Sequence, residues 1–167
     1  MTVVLAEETI TYDPALRHDW VSGKLPKEWR RAYPDLFDED DLRLALSQPS
    51  YHFYEWLGAL HYYEKGFGVL VEQYVYKSHP RKLAVVSKIM NKEELDFLRK
   101  LPVQPPDLFI YRGADRHFFF AEVKSARNEL ADSQRAAFVQ VVQRLATEVW
   151  ILRVIANDSV ILSQHTL

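Results

Sequence analysis

The chain contains no cysteine in 167 residues. That excludes disulfide staples, thiolate zinc sites and a cysteine nucleophile, while leaving the compartment open. Glycine is scarce, at five residues, and no glycine-rich loop suited to cradling a nucleotide phosphate is found. No apolar run is long enough to span a bilayer, so no membrane partner is expected. The N-terminus lacks the basic-then-apolar order of a secretory signal, and a cytoplasmic location is the expectation. Internal repeats are missing too. Aromatic residues make up 13% of the chain, which argues against a low-complexity or disordered composition. A chain of this length is most simply one domain with a sizeable core.

The net charge of −2 does not mark a nucleic-acid binder, but the charges are unevenly placed. Residues 1–50 carry ten acids against six Lys and Arg, whereas residues 76–100 carry seven Lys and Arg against three acids. The second stretch reads either as a solvated helix face or as a basic patch that draws in phosphate.

Residues 1–14 read as a tail or short strand around Val3-Val4-Leu5. Helices are expected over Pro26–Tyr33 and Asp38–Leu46, with Trp20, Trp29, Leu36 and Phe37 packing this N-terminal extension (1–50) onto the main body, residues 51–167. Ser50 is placed to cap a helix from Tyr51 to Lys65, which Gly66 ends. Gly68–Tyr76 alternates as a strand, with Glu72 on one face. The polar run Lys77, Arg81 and Lys82 follows and offers phosphate contacts, or plain solubility. Leu83–Leu101 reads as helical, with Asn91 able to divide it. Further on, strands are expected over Leu108–Tyr111, Phe118–Lys124 and Glu148–Ile155, and a helix over Gln134–Leu145 capped by Asp132 or Ser133. Val160–Ser163 would add an edge strand.

The stretch that matters most chemically is Pro106-Asp107-Leu108-Phe109-Ile110, a turn at Gly113, and Phe118-Phe119-Phe120-Ala121-Glu122-Val123-Lys124. Alternate residues of a strand share a face, so Glu122 and Lys124 project together and Val123 projects the other way. A hairpin between them can bring Asp107 beside Glu122. Two close carboxylates repel and resist joint ionisation. A divalent cation removes that penalty, and hard oxygen donors suit Mg²⁺ or Mn²⁺. A lysine beside them can orient water or stabilise charge developing on a phosphate. The competing reading is a hairpin with a surface ion pair.

This ordered set resembles the PD-(D/E)xK nuclease superfamily. The continuation Glu122-Val123-Lys124-Ser125-Ala126-Arg127-Asn128-Glu129-Leu130, with Gln134 heading the next helix, is similar to its virus-type replication-repair nuclease (VRR-NUC) branch, which also closes the Fanconi-associated nuclease. The resemblance runs over roughly residues 51–156. It implies an α/β, restriction-endonuclease-like core with a mixed central sheet flanked by helices, and makes residues of about 80–101 a helical insertion. It implies a metal-dependent DNA nuclease in which Glu55, Asp107, Glu122 and the backbone carbonyl of Val123 hold Mg²⁺ or Mn²⁺. Glu64 is the fallback for Glu55, and Glu72 has a route to the same site from its strand. Lys124 and Gln134 complete the catalytic set, with Arg127 and Arg135 as further phosphate contacts. His52 and His61 are expected to be packing or surface groups, His52 near the DNA. Flaps, forks or junctions are the substrates the family suggests, with a homodimer open. A nonspecific DNase toxin neutralised by an immunity protein, and a non-catalytic DNA-binding module, are the rival readings.

Overall fold

The computed structural model describes residues 2–48, 52–113 and 115–157. Among them are five strands and seven helices. The strands β1 (Ala6–Tyr12), β2 (Gly68–Val71), β3 (Leu108–Arg112), β4 (His117–Ser125) and β5 (Val149–Ala156) form one mixed sheet in the order β1-β5-β4-β3-β2. β1, β5 and β4 run parallel, while β3 is antiparallel to both β4 and β2. The protein is therefore an α/β fold with a mixed sheet, as the alternation of helical and strand patterns predicts.

Strand periodicity sorts the core into two layers. Val69, Val71, Leu108, Ile110, Phe119, Ala121, Val123 and Leu152 face one side. There they meet α1 (Ala15–Val21), α2 (Lys24–Ala32), α3 (Glu39–Ser47) and α4 (Phe53–Glu64), through Trp20, Trp29, Phe37, Phe53 and Trp56. Leu70, Phe109, Phe120, Val149 and Ile151 face the other side. They meet α5 (Pro80–Ile89), α6 (Lys92–Arg99) and α7 (Asp132–Leu145) through Val86, Leu98, Phe138 and Val141. The N-terminal aromatics pack edge-to-face, with Trp20 to Trp29 at 5.6 Å and Phe37 to Trp56 at 4.7 Å between ring centroids.

Several boundaries differ from those the sequence suggests. Residues 6–12 are a full edge strand, paired with β5 from Ala6↔Trp150 to Tyr12↔Ala156. Its partner lies far away in sequence, so local pattern carries little of that signal. The expected strand Gly68–Tyr76 stops at Val71, because Glu72 and Gln73 take φ values of 47° and 57°. Asn91 caps α6 by accepting from the Glu94 N–H, while the Glu94 carboxylate accepts from the Asn91 N–H; this divides the expected helix Leu83–Leu101 into α5 and α6. At α7 the cap is Ala131, not Asp132 or Ser133, and its N–H donates to the Gln134 side-chain oxygen at 3.1 Å. The expected cap Ser50 and the strand 160–163 lie outside the described residues.

Candidate active site

The site forms where β3 and β4 stop pairing. Their ladder runs from Arg112↔His117 to Leu108↔Ala121. One step further, side chains replace it. The Asp107 N–H donates to Glu122 Oε2 at 3.1 Å, and the Val123 N–H donates to Asp107 Oδ2 at 2.9 Å. Each acid is thus fastened to the other's strand. Pro105 and Pro106, which cannot donate to a ladder, precede Asp107 and help end the pairing. Lys124 follows Glu122 on the same strand face, with Nζ 3.4 Å from Glu122 Oε1. Gln134, in the first turn of α7, donates from Nε2 to the same oxygen at 3.3 Å.

Three further groups cluster nearby, of which Glu55 and Glu72 act electrostatically on Asp107. His52, Glu55 and Glu72 each offer a ligand atom, and these atoms lie within 4.8 Å of one another. The Glu72 carboxylate sits 3.1 Å from His52 Nε2. Glu55 lies on α4, one turn before Gly58, and Gly58 explains how that helix comes so close to the sheet. A Cβ on Gly58 would stand 2.9 Å from Leu152 Cδ2, 3.2 Å from Val123 Cγ2 and 3.3 Å from Leu108 Cδ1. Residues three apart share a helix face, so the close approach at Gly58 also carries Glu55 toward the strand ends.

The electrostatics are those of anions crowded without enough counter-charge. Burial pushes the Asp107 carboxyl well up, and Glu122 and Glu55 push it further, against the Val123 N–H. Burial likewise raises Glu122, opposed by Lys124. Glu55 is raised by burial, with Glu72 adding to the effect and His52 and Lys124 opposing it. These hard oxygen donors fit a magnesium- or manganese-sized dication, which would relieve the repulsion. A cleft of about 340 Å³ opens on the group, lined by Glu72, Tyr74, Pro106, Asp107, Glu122 and Gln134 among others. Tyr74 is a buried part of its lining, and its hydroxyl donates to the Pro106 carbonyl at 2.6 Å.

The residues expected from the sequence divide into two groups. Asp107, Glu122, Lys124 and Gln134 come together, with the Val123 backbone joining through its N–H. Glu55 and Glu72 arrive beside them, but the trio within 4.8 Å among the described residues includes His52 rather than Asp107 or Glu122. Glu64 is exposed near the end of α4, and His61 pairs with Glu8 at 3.0 Å. Of the phosphate candidates, Lys77, Arg127 and Arg135 are exposed. Lys82 is a correction: it is 6% exposed and committed to the Val71 carbonyl and Asp41, so it is a structural cation. Arg81 pairs with Asp38 and Asp41.

His52 was expected to be a packing or surface group, yet it takes part in the site. Helical spacing from Glu55 does not reveal this, because His52 stands before the first residue of α4 with a φ of 65°. Tyr74 carried no signal either, because its role depends on a kink that breaks the strand pattern.

Among the described residues no helix is long and apolar enough to cross a membrane. No protein-family model matches the chain, and no curated protein matches it either.

Proposed function

We propose that this protein is a divalent-metal-dependent DNA nuclease of the PD-(D/E)xK type, with a restriction-endonuclease-like core of the VRR-NUC branch. The observation that carries the reading is the interlocked pair Asp107 and Glu122, with Lys124 3.4 Å from Glu122, at the mouth of an open cleft. A bare ion pair on a hairpin does not require that a second acid be pulled in beside the first. Nor does it explain why Glu55 and Glu72 lie close enough to raise the Asp107 carboxyl as well.

Asp107 and Glu122, with Glu55, would hold Mg²⁺ or Mn²⁺, and the Val123 carbonyl is the further donor the resemblance implies. A bound dication would supply Lewis-acid polarisation of the phosphate and would lower the pKa of bound water. The chain's own residues do the positioning. Asp107 is held by the Val123 N–H, which fixes its carboxylate before any substrate arrives. Lys124 brings a positive charge to the strand face where negative charge grows on a phosphodiester oxygen. Gln134, hydrogen-bonded to Glu122, offers an amide to orient a water or a phosphate oxygen. DNA is the proposed polymer, and flaps, forks or junctions are the proposed shapes.

The test is cleavage of labelled single strands, duplex, 5′ and 3′ flaps and a four-way junction with Mg²⁺ or Mn²⁺, beside EDTA and Lys124→Ala controls. Cutting that needs metal and disappears in a folded Lys124→Ala protein supports the assignment. Normal cutting by Lys124→Ala would overturn it. A preferred branched shape favours a repair role, and indiscriminate cutting favours a toxin-like DNase.

A further inference from the structure

The segment that carries Glu72 is held in an unfavourable backbone conformation. Glu72 and Gln73 are consecutive non-glycine residues in the left-handed region, with φ of 47° and 57°. Such residues persist only where their surroundings over-determine them. Two contacts do so here. The Glu72 N–H donates to the Asp107 carbonyl at 2.8 Å, continuing past the last ladder pair, Val71↔Leu108. At the other end of the same peptide unit, Lys82 Nζ donates to the Val71 carbonyl at 2.6 Å.

Lys82 is an unusual residue to find inside. It is 6% exposed, and its other contact is Asp41 Oδ1 at 3.3 Å. Asp41 is itself 3% exposed. Its second oxygen accepts from the Asp38 N–H at 3.0 Å, while Asp38 accepts back from the Asp41 N–H at 2.8 Å, a reciprocal cap at the start of α3. A buried ion pair of this kind is rarely the most stabilising filling for its volume, since well-packed apolar residues serve as well or better. What an apolar residue lacks is a charged donor aimed at a backbone carbonyl next to the kink.

We infer that Lys82, held by Asp41, is a positioning residue of the site: its bond to the Val71 carbonyl fixes the left-handed turn that directs Glu72 toward His52 and Glu55. This gives the N-terminal helices a role. No residue of α1–α3 lines the cleft beside Asp107 among the described residues, yet α3 reaches the site through Asp41, Lys82 and Val71. The effect on cleavage rests on the nuclease reading; the effect on the backbone does not.

The test compares wild type, Lys82→Met, Lys82→Arg, and Lys82→Met combined with Asp41→Asn. The double variant removes both buried charges and keeps an oxygen for the Asp38 N–H, so it stays folded where Lys82→Met alone leaves the buried Asp41 with only Arg81 as counter-charge. Hydrogen exchange by mass spectrometry reads peptides covering residues 70–76 and the strands β3 to β5. Cleavage kinetics with Mn²⁺ are measured in parallel. In the double variant, exchange at 70–76 should accelerate roughly tenfold or more while the central strands keep their protection. Misplacing a site carboxylate should lower kcat by up to about a hundredfold with little change in KM. Lys82→Arg should recover part of both. Unchanged protection at 70–76, loosening spread evenly over the sheet, or full kcat despite a loosened turn would each overturn the inference. Should the wild type cut none of the DNA substrates, the nuclease reading fails, and the exchange comparison alone decides for or against the turn-fixing role of Lys82.

Discussion

Replacing Glu55 by glutamine should make the metal-free protein more stable while removing a carboxylate of the proposed metal site. Glu55 and Glu72 offer oxygens within 4.8 Å of each other. At that separation two full charges repel by about 3 kcal/mol for an effective dielectric constant of 20. His52 and Lys124 offset part of this, as their opposition to the upward shift of Glu55 shows. A net gain of about 1–2 kcal/mol for Glu55→Gln follows, or about 2–8 °C in melting temperature for a chain of this size. The pH dependence has a defined sign. The carboxyl of Glu55 is raised in the folded state, so the stability linked to it is fully present below the unfolded carboxylate range, near pH 4, and is lost as pH rises through the folded value. Melting curves in EDTA should therefore show the variant ahead of wild type at pH 8, with the gap closing toward pH 5. Saturating Mn²⁺ should reverse the order. A ligand at a hundred times its Kd adds about 2.7 kcal/mol to the wild type, and the variant should gain much less. A Glu55→Gln protein that melts below wild type in EDTA at pH 8 would refute the reasoning, as would a gap that is constant with pH.

Three further outcomes are expected. Gly58→Ala puts a methyl 2.9 Å from Leu152 Cδ2 and should cost about 1–3 kcal/mol by overpacking, despite the better helix propensity of alanine, as read by chemical denaturation; it should also weaken Mn²⁺ binding in calorimetry by displacing Glu55. Tyr74→Phe leaves the Pro106 carbonyl without its buried donor and should cost about 1–2 kcal/mol, lowering the melting temperature by about 2–8 °C. Gln134→Ala removes the amide that touches Glu122 and should lower kcat about tenfold or more, and because it also removes the acceptor of the Ala131 N–H it should lower the melting temperature by about 1–4 °C.

The local chemistry of the chain was legible in the sequence. Strand alternation put Glu122 and Lys124 on one face, and their 3.4 Å contact agrees with it. The break at Asn91 and the hairpin around Gly113 follow from residues that act within a few positions of themselves. Likewise the apolar stripe of α7 delivers Ala137, Phe138 and Val141 to the core. Other features were decided only in three dimensions. β1 pairs with a strand more than a hundred residues away, and Glu72 turns out of its strand because Lys82 and Asp107 hold the backbone there. His52 enters the site through a left-handed backbone that lets its imidazole meet Glu72. Lys82, one of a run of surface-looking cations, is drawn inside by Asp41 from the N-terminal helices. Sequence pattern reports the energy of a residue with its near neighbours along the chain. The direction of a buried charge, or a backbone angle that local preference disfavours, is set by partners that only folding brings within a few ångströms.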